Sequence, residues 1–216
     1  MEGSPYALDP GDFLRAIDAS RDTLGRARMK LLDIVDRVRE LSDDAPYAVV
    51  GGLAQILWAR KTHTDDLDVA LAGDALAKAY ARVADAHAAA TGWRLPAPPD
   101  RPHEEDDVFE VFHLLYRGAV VDLIAFKDEA FTREIVATAR VVAELDGIRF
   151  VRPELLLITH LLRPTPLAKL AAVELLLARR PKMDFDLDYA RGWASQLAVE
   201  PALDRIIELA DRVESD

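Results

Sequence analysis

The chain has 216 residues; half are hydrophobic and 30% are charged, which fits one large globular domain or one domain with a helical appendage. It has no cysteine, which excludes disulfides and thiolate metal sites, and its net charge of −11 weighs against a general nucleic-acid binder. An acidic surface suits a cationic small molecule or a protein partner better, although a local basic patch is possible around Arg179, Arg180 and Lys182. Met1 to Phe13 carries Asp9 and Asp12 and no apolar h-region, and no apolar run approaches the roughly 18 residues of a membrane helix. No membrane association and a cytoplasmic location are the expectations.

Residues about 12–41 read as helical, with Leu31, Ile34, Val35, Val38 and Leu41 at helical spacing and Gly25 as a candidate break. Pro46 ends that pattern. Tyr47 to Val50 is a short β-prone run that stops at Gly51-Gly52, and residues 53–60 read as a helix leaving the turn. Leu67 to Leu71 reads as a second strand. Asp74 is placed to cap an Ala-rich helix that runs to about residue 91 and ends at Gly92.

Residues 96–107 read as a polar, proline-rich loop. Within it, His103-Glu104-Glu105-Asp106-Asp107 reads as solvated rather than as a metal site. Val108–Tyr116 and Ala119–Phe126 form a predicted hairpin around Arg117-Gly118, and short strands are expected at 137–144 and 147–151. From Pro153 onward the pattern is helical, at about 153–162, 165–179, 184–196 and 200–214, punctuated by Pro164, Pro181 and Pro201. The stretch from Lys182 to Asp188 reads as a helix start with acidic residues in its first turn. The expected fold is α/β (α+β). It comprises an N-terminal helical segment over 1–44, a mixed-sheet core over 45–151 and a C-terminal helical bundle over 152–216. Trp58, Trp93, Trp193, His87 and His113 read as structural, and His63 as a loop histidine.

Asp66 and Asp68 are one residue apart, so on a strand both point to one face, with Leu67 and Val69 turned to the core. Such a pair repels itself unless a cation sits beside it, and Mg²⁺, a hard ion taking oxygen ligands and phosphate together, is the natural choice. Asp122 interrupts the apolar run from Ala119 to Ala125, where an unpaired carboxylate would be costly. Glycines at a strand-to-helix turn let backbone approach a phosphate closely, and the helix that follows offers free N–H groups. Thirteen residues separate Gly52 from Asp66, enough for one helix and a return to a neighbouring strand.

Val50-Gly51-Gly52, this spacing, Asp66-Leu67-Asp68-Val69 and a later lone Asp122 together resemble the nucleotidyltransferase superfamily of the DNA polymerase β type. The stretch from Val49 to Leu71 is most similar to the bacterial branch of AbiEii-like toxins and small antibiotic nucleotidyltransferases. The resemblance covers about residues 45–126 and continues more loosely over Pro153 to Leu157. It implies that Asp66, Asp68 and Asp122 hold two Mg²⁺ ions, with Mn²⁺ as the alternative, and that Asp122 assists the acceptor hydroxyl. It also implies that Gly51, Gly52 and Thr64 hold the β- and γ-phosphates of an NTP.

The lysine common in that branch after Pro-Glu is absent, and its place falls to His160 or to Lys182. Thr62 stands where an arginine is frequent, with Arg60 and Lys61 as substitutes. The reaction implied is transfer of a nucleoside monophosphate to an acceptor with release of pyrophosphate. The acceptor would be tRNA, a partner protein or a small cationic molecule such as an aminoglycoside or lincosamide. A toxin or defence role, with an antitoxin partner, ranks first. The alternatives are an antibiotic nucleotidyltransferase, a degenerate domain that binds nucleotide or a partner without turnover, and a magnesium-dependent hydrolase.

Overall fold

The computed structural model of the chain describes residues 31–59, 64, 66–84, 92–95, 103–105, 108–145, 147–163, 165–181 and 185–215. The expected helical stretch before residue 31, Gly25 included, lies outside them, as do His87, His63, Arg60, Lys61, Thr62 and Lys182. The described part is a mixed α/β structure, as the sequence predicts.

The first described helix, α1 (Leu31–Leu41), buries Leu31, Ile34, Val35, Val38 and Leu41, the residues whose 3.6-residue period marks it in the sequence. β1 (Tyr47–Val49) leads into α2 (Gly51–Trp58), which starts on the glycine pair itself rather than two residues later. β2 (Asp66–Leu71) is followed by α3 (Gly73–Ala84), where Asp74 lies in the first turn. Arg82 of α3 donates to the Glu40 and Leu41 carbonyls at 3.0 and 2.9 Å, satisfying the exposed end of α1.

β3 (Trp93–Arg94), β4 (His103–Glu105), β5 (Phe109–Tyr116) and β6 (Ala119–Phe126) come next. The expected loop over 96–107 thus contains a strand: β4 pairs antiparallel with Phe109 to Val111, so backbone pairing to an available sheet edge overrides the polar composition. β3 takes the other end of β5, at Leu115 and Tyr116.

α4 (Glu129–Ala137) is unassigned in the sequence reading. Asp128 caps it, accepting from the Phe131 N–H at 2.8 Å, and Phe131, Ile135 and Val136 are buried. The strand expected over 137–144 is accordingly shorter: β7 (Arg140–Val142), followed by a 3₁₀ turn at Ala143–Leu145 and then β8 (Ile148–Phe150). Four helices complete the chain as predicted, α5 (Pro153–Leu161), α6 (Pro166–Arg179), α7 (Leu187–Gln196) and α8 (Glu200–Ser215).

The strands form one sheet in the order β3-β5-β6-β2-β1-β8-β7, with β4 also on β5. β2 runs antiparallel to β1 and parallel to β6, so the sheet centre joins three segments distant in sequence. α4 packs against β1, β2 and β6, while α2 contacts β2 and also α5 and α6, tying the sheet to the C-terminal helices. One continuous apolar cluster runs from Leu31 in α1 to Ala210 in α8. Trp93 is buried within it, and Trp58 and Trp193 pack against it. No described helix is long and apolar enough to cross a membrane.

Candidate active site

Asp66 and Asp68 project from β2 on one side, while Leu67 and Val69 between and beyond them are fully buried. The parallel pairing of β2 with β6 sets Asp68 directly beside Asp122. Oxygen atoms of the three carboxylates lie within 4.8 Å of one another, and Asp122 is only 9% exposed. The lone acid in the apolar run and the acid pair of the earlier strand are thus one cluster, as a hard oxygen-ligated cation requires.

The glycine pair faces this cluster. Val50 precedes α2 without a side-chain cap; instead the Gly52 N–H donates to Asp68 Oδ2 at 3.2 Å. A carboxylate from a neighbouring strand therefore occupies the positive end of the helix. Gly51 has φ +57°, and a Cβ there would lie 1.9 Å from Asp68 Oδ2. Both constraints make glycine the residue that fits. Thr64 does not reach the cleft: it is buried and its hydroxyl donates to Asp66 Oδ1 at 3.0 Å, orienting the first carboxylate.

Burial first, and then the negative charges of Asp66 and Asp122, push the Asp68 carboxyl up to about 7. The Gly52 N–H and the guanidinium of Arg163 act in the opposite sense. A bound divalent cation would reverse this balance. The donor set, all carboxylate oxygen with no sulfur, fits Mg²⁺ or Mn²⁺.

The carboxylates open into a cleft of about 880 Å³, with Gly51, Gly52, Gln55, His160 and Arg163 among its lining residues. A cleft of this size accommodates a nucleotide-sized ligand. His160 stands at the end of α5, its Nε2 3.0 Å from Gln55 Oε1. Gln55 Nε2 in turn donates to the Ala171 carbonyl at 2.9 Å, so α2, α5 and α6 are joined by one polar chain at the cleft wall. Lys61 and Lys182, the other expected phosphate contacts, lie outside the described residues.

Three lining residues escape the sequence reading. His113, read as structural, has its Nδ1 2.8 Å from Asp122 Oδ1. Counting outward from the two-residue turn at Arg117-Gly118 sets His113 opposite Asp122, so this pairing was available from the hairpin register. Gln55 carries a fainter signal, a lone polar side chain in the otherwise apolar helix α2. Arg163 has none, because its position depends on how α5 packs. No known family model matches this chain, and no curated protein matches it.

Proposed function

We propose that the chain is a metal-dependent nucleotidyltransferase, moving a nucleoside monophosphate from an NTP to an acceptor hydroxyl with release of pyrophosphate. The observation that carries this reading is the convergence of Asp66, Asp68 and Asp122 beside the Gly51-Gly52 helix start, at the wall of a nucleotide-sized cleft. The three carboxylates would hold Mg²⁺, with Mn²⁺ as the alternative; such ions, when bound, offset phosphate charge at the attacking and leaving oxygens.

The protein's own residues divide the remaining work. Thr64 fixes the Asp66 carboxylate, Gly52 fixes that of Asp68, and His113 holds Asp122. Arg163 is the permanent cation among the described lining residues and supplies the positive charge that the resemblance assigns to a lysine, while His160 lines the same cleft. The acceptor oxygen forms its bond to the α-phosphorus as the bond to the pyrophosphate oxygen breaks. The hydroxyl proton passes toward Asp122, which lies on the side of the cluster away from the glycine turn.

The α/β-then-helical layout favours an AbiEii-like toxin or defence role, with an antitoxin partner, and a cytoplasmic location goes with that reading. Among acceptors the resemblance leaves tRNA, a protein and a small cationic molecule. The reading is tested by calorimetric titration of ATP, GTP, CTP and UTP with Mg²⁺ into the chain and into its Asp66→Ala/Asp68→Ala variant. Metal-dependent binding of at least one NTP, lost in the variant, is expected. Binding of none of the four would sink the reading.

A further inference from the structure

The face of the β5–β6 hairpin that carries Asp122 continues beyond it. Because alternate residues share a face, His113–Asp122 is followed along the hairpin by Val111–Ile124 and then by Phe109–Phe126. These three cross-strand pairs all line the cleft. Its floor therefore changes, within two steps of ~7 Å each, from carboxylate to aliphatic to aromatic. The two phenyl rings meet edge to face, with centroids 5.9 Å apart.

A second part of the cleft wall comes from α6. Leu167, Leu170, Ala171 and Glu174 follow one another at helical spacing and all line the same cleft. Leu167 is 75% and Leu170 55% exposed, among the largest exposures of any apolar side chain described. Two such leucines in the same concave lining as an apolar floor mark a ligand surface rather than scattered surface residues. The wall carries one acid, Glu174, and the cleft's described lining holds a single permanent cation, Arg163. An RNA backbone requires more positive charge than that.

From these observations we infer that the acceptor is a small amphiphile: a hydroxyl-bearing molecule with an apolar or aromatic body and an ammonium group. Its hydroxyl sits at Asp122, its apolar part lies between the Val111–Ile124 floor and the Leu167–Leu170 wall, and its ammonium faces Glu174. This inference rests on the transferase reading for the hydroxyl's fate. It rests on the floor and wall alone for the ligand's chemistry.

The test uses two amino alcohols that differ only by a phenyl ring, phenylalaninol and alaninol, titrated into the full chain and followed by ligand-observed NMR. Phenylalaninol should bind about tenfold or more tightly than alaninol. Leu167→Asn/Leu170→Asn should remove that difference and leave the melting temperature unchanged because both leucines are exposed. Glu174→Gln, on the same wall, should weaken both amino alcohols by a similar factor.

Equal affinity for the two alcohols overturns the inference, and so does a preference that survives the leucine substitutions. Labelling of tRNA from α-³²P NTP at the same rate by the wild-type chain and the leucine variant also overturns it, in favour of RNA. Leucine-dependent binding of phenylalaninol in a chain that binds none of the four NTPs would remove the transferase reading and leave the apolar ligand site standing.

Discussion

Among the described residues, acids are buried in two places, at Glu154 and in the cluster that holds Asp122, and are treated in opposite ways. Glu154, at the start of α5, is 0% exposed. It accepts from Arg152 at 3.2 and 3.3 Å and from the Asp186 backbone N–H at 2.9 Å, and the Arg140 guanidinium lies 3.7 Å away. Arg152 is itself stacked over the Tyr189 ring, 4.4 Å from its centroid. Each charge there has a partner, and the cluster joins β7, α5 and the cap of α7. At the sheet centre, Asp68 has two acids as neighbours and one backbone N–H as donor, and its carboxyl is pushed up to about 7. Burial alone does not mark a functional carboxylate. The mark is burial without enough positive charge in the protein to compensate it, since that leaves a place for a cation from outside.

The comparison is broken or sharpened by substitution on each side. The largest effect on stability is expected at the compensated acid. Glu154→Ala leaves two guanidinium groups without their carboxylate and should destabilise the fold by about 3–5 kcal/mol in urea unfolding. A variant as stable as the wild type would show that the ion cluster is not a structural joint. At the uncompensated acid the sign reverses. Asp68→Asn should weaken Mg²⁺-dependent NTP binding by about 100-fold or more, as expected for loss of a group placed to stabilise charge. In EDTA at pH 8 the same variant should melt above the wild type, by ~2–4 °C for each kcal/mol of relieved repulsion. Lower melting without metal would place Asp68 among the structural acids.

A smaller effect is expected from Gly51→Ala. The new methyl would collide with Asp68 Oδ2 in a backbone conformation at φ +57°, so a loss of about 1–3 kcal/mol is expected, together with weaker Mg²⁺ binding. Unchanged metal affinity in a folded variant would separate the glycine turn from the carboxylates. The smallest effect is the pH dependence of the metal-free chain. The folded-state value of about 7 for Asp68 lies above the ~3.9 of an unfolded chain, so its contribution to stability is present below the unfolded value and is lost as pH rises through about 7. The melting temperature in EDTA should therefore fall between pH 5.5 and pH 8 by more in the wild type than in Asp68→Asn, and Mg²⁺ should reduce that difference. Equal slopes in the two proteins would assign the pH dependence to other groups.

Much of the fold is legible in the residues because the signals are local. The apolar spacing of Leu31 to Leu41, the alternation across Asp66 to Val69 and the turn at Arg117-Gly118 each follow from a side chain's direction on its own helix or strand. The four C-terminal helices are equally legible, since Pro153 and Pro166 open α5 and α6 and Asp186 caps α7. Three elements were not legible in the same way. β3 and β4 exist because β5 offers an edge, and α4 is a nine-residue helix that follows a strand directly, with Asp128 as its cap but no glycine or proline to separate the two.

The candidate site divides along the same line. Asp66, Asp68 and the glycine pair were identifiable as a carboxylate pair and a strand-to-helix turn, and Asp122 as an acid misplaced in an apolar run. Hairpin counting also places His113 against Asp122. The remaining arrangement was decided by tertiary structure alone. Asp122 meets Asp68 because β6 docks parallel to β2, a pairing between segments more than 50 residues apart in sequence. Gln55, His160 and Arg163 reach the cleft because α2 packs against α5 and α6. A sequence fixes which way each residue points on its own element through the 2.0 and 3.6 periods of the backbone. Which elements become neighbours is set by burying the whole apolar surface at once, and the meeting of distant charges is a consequence of that global packing.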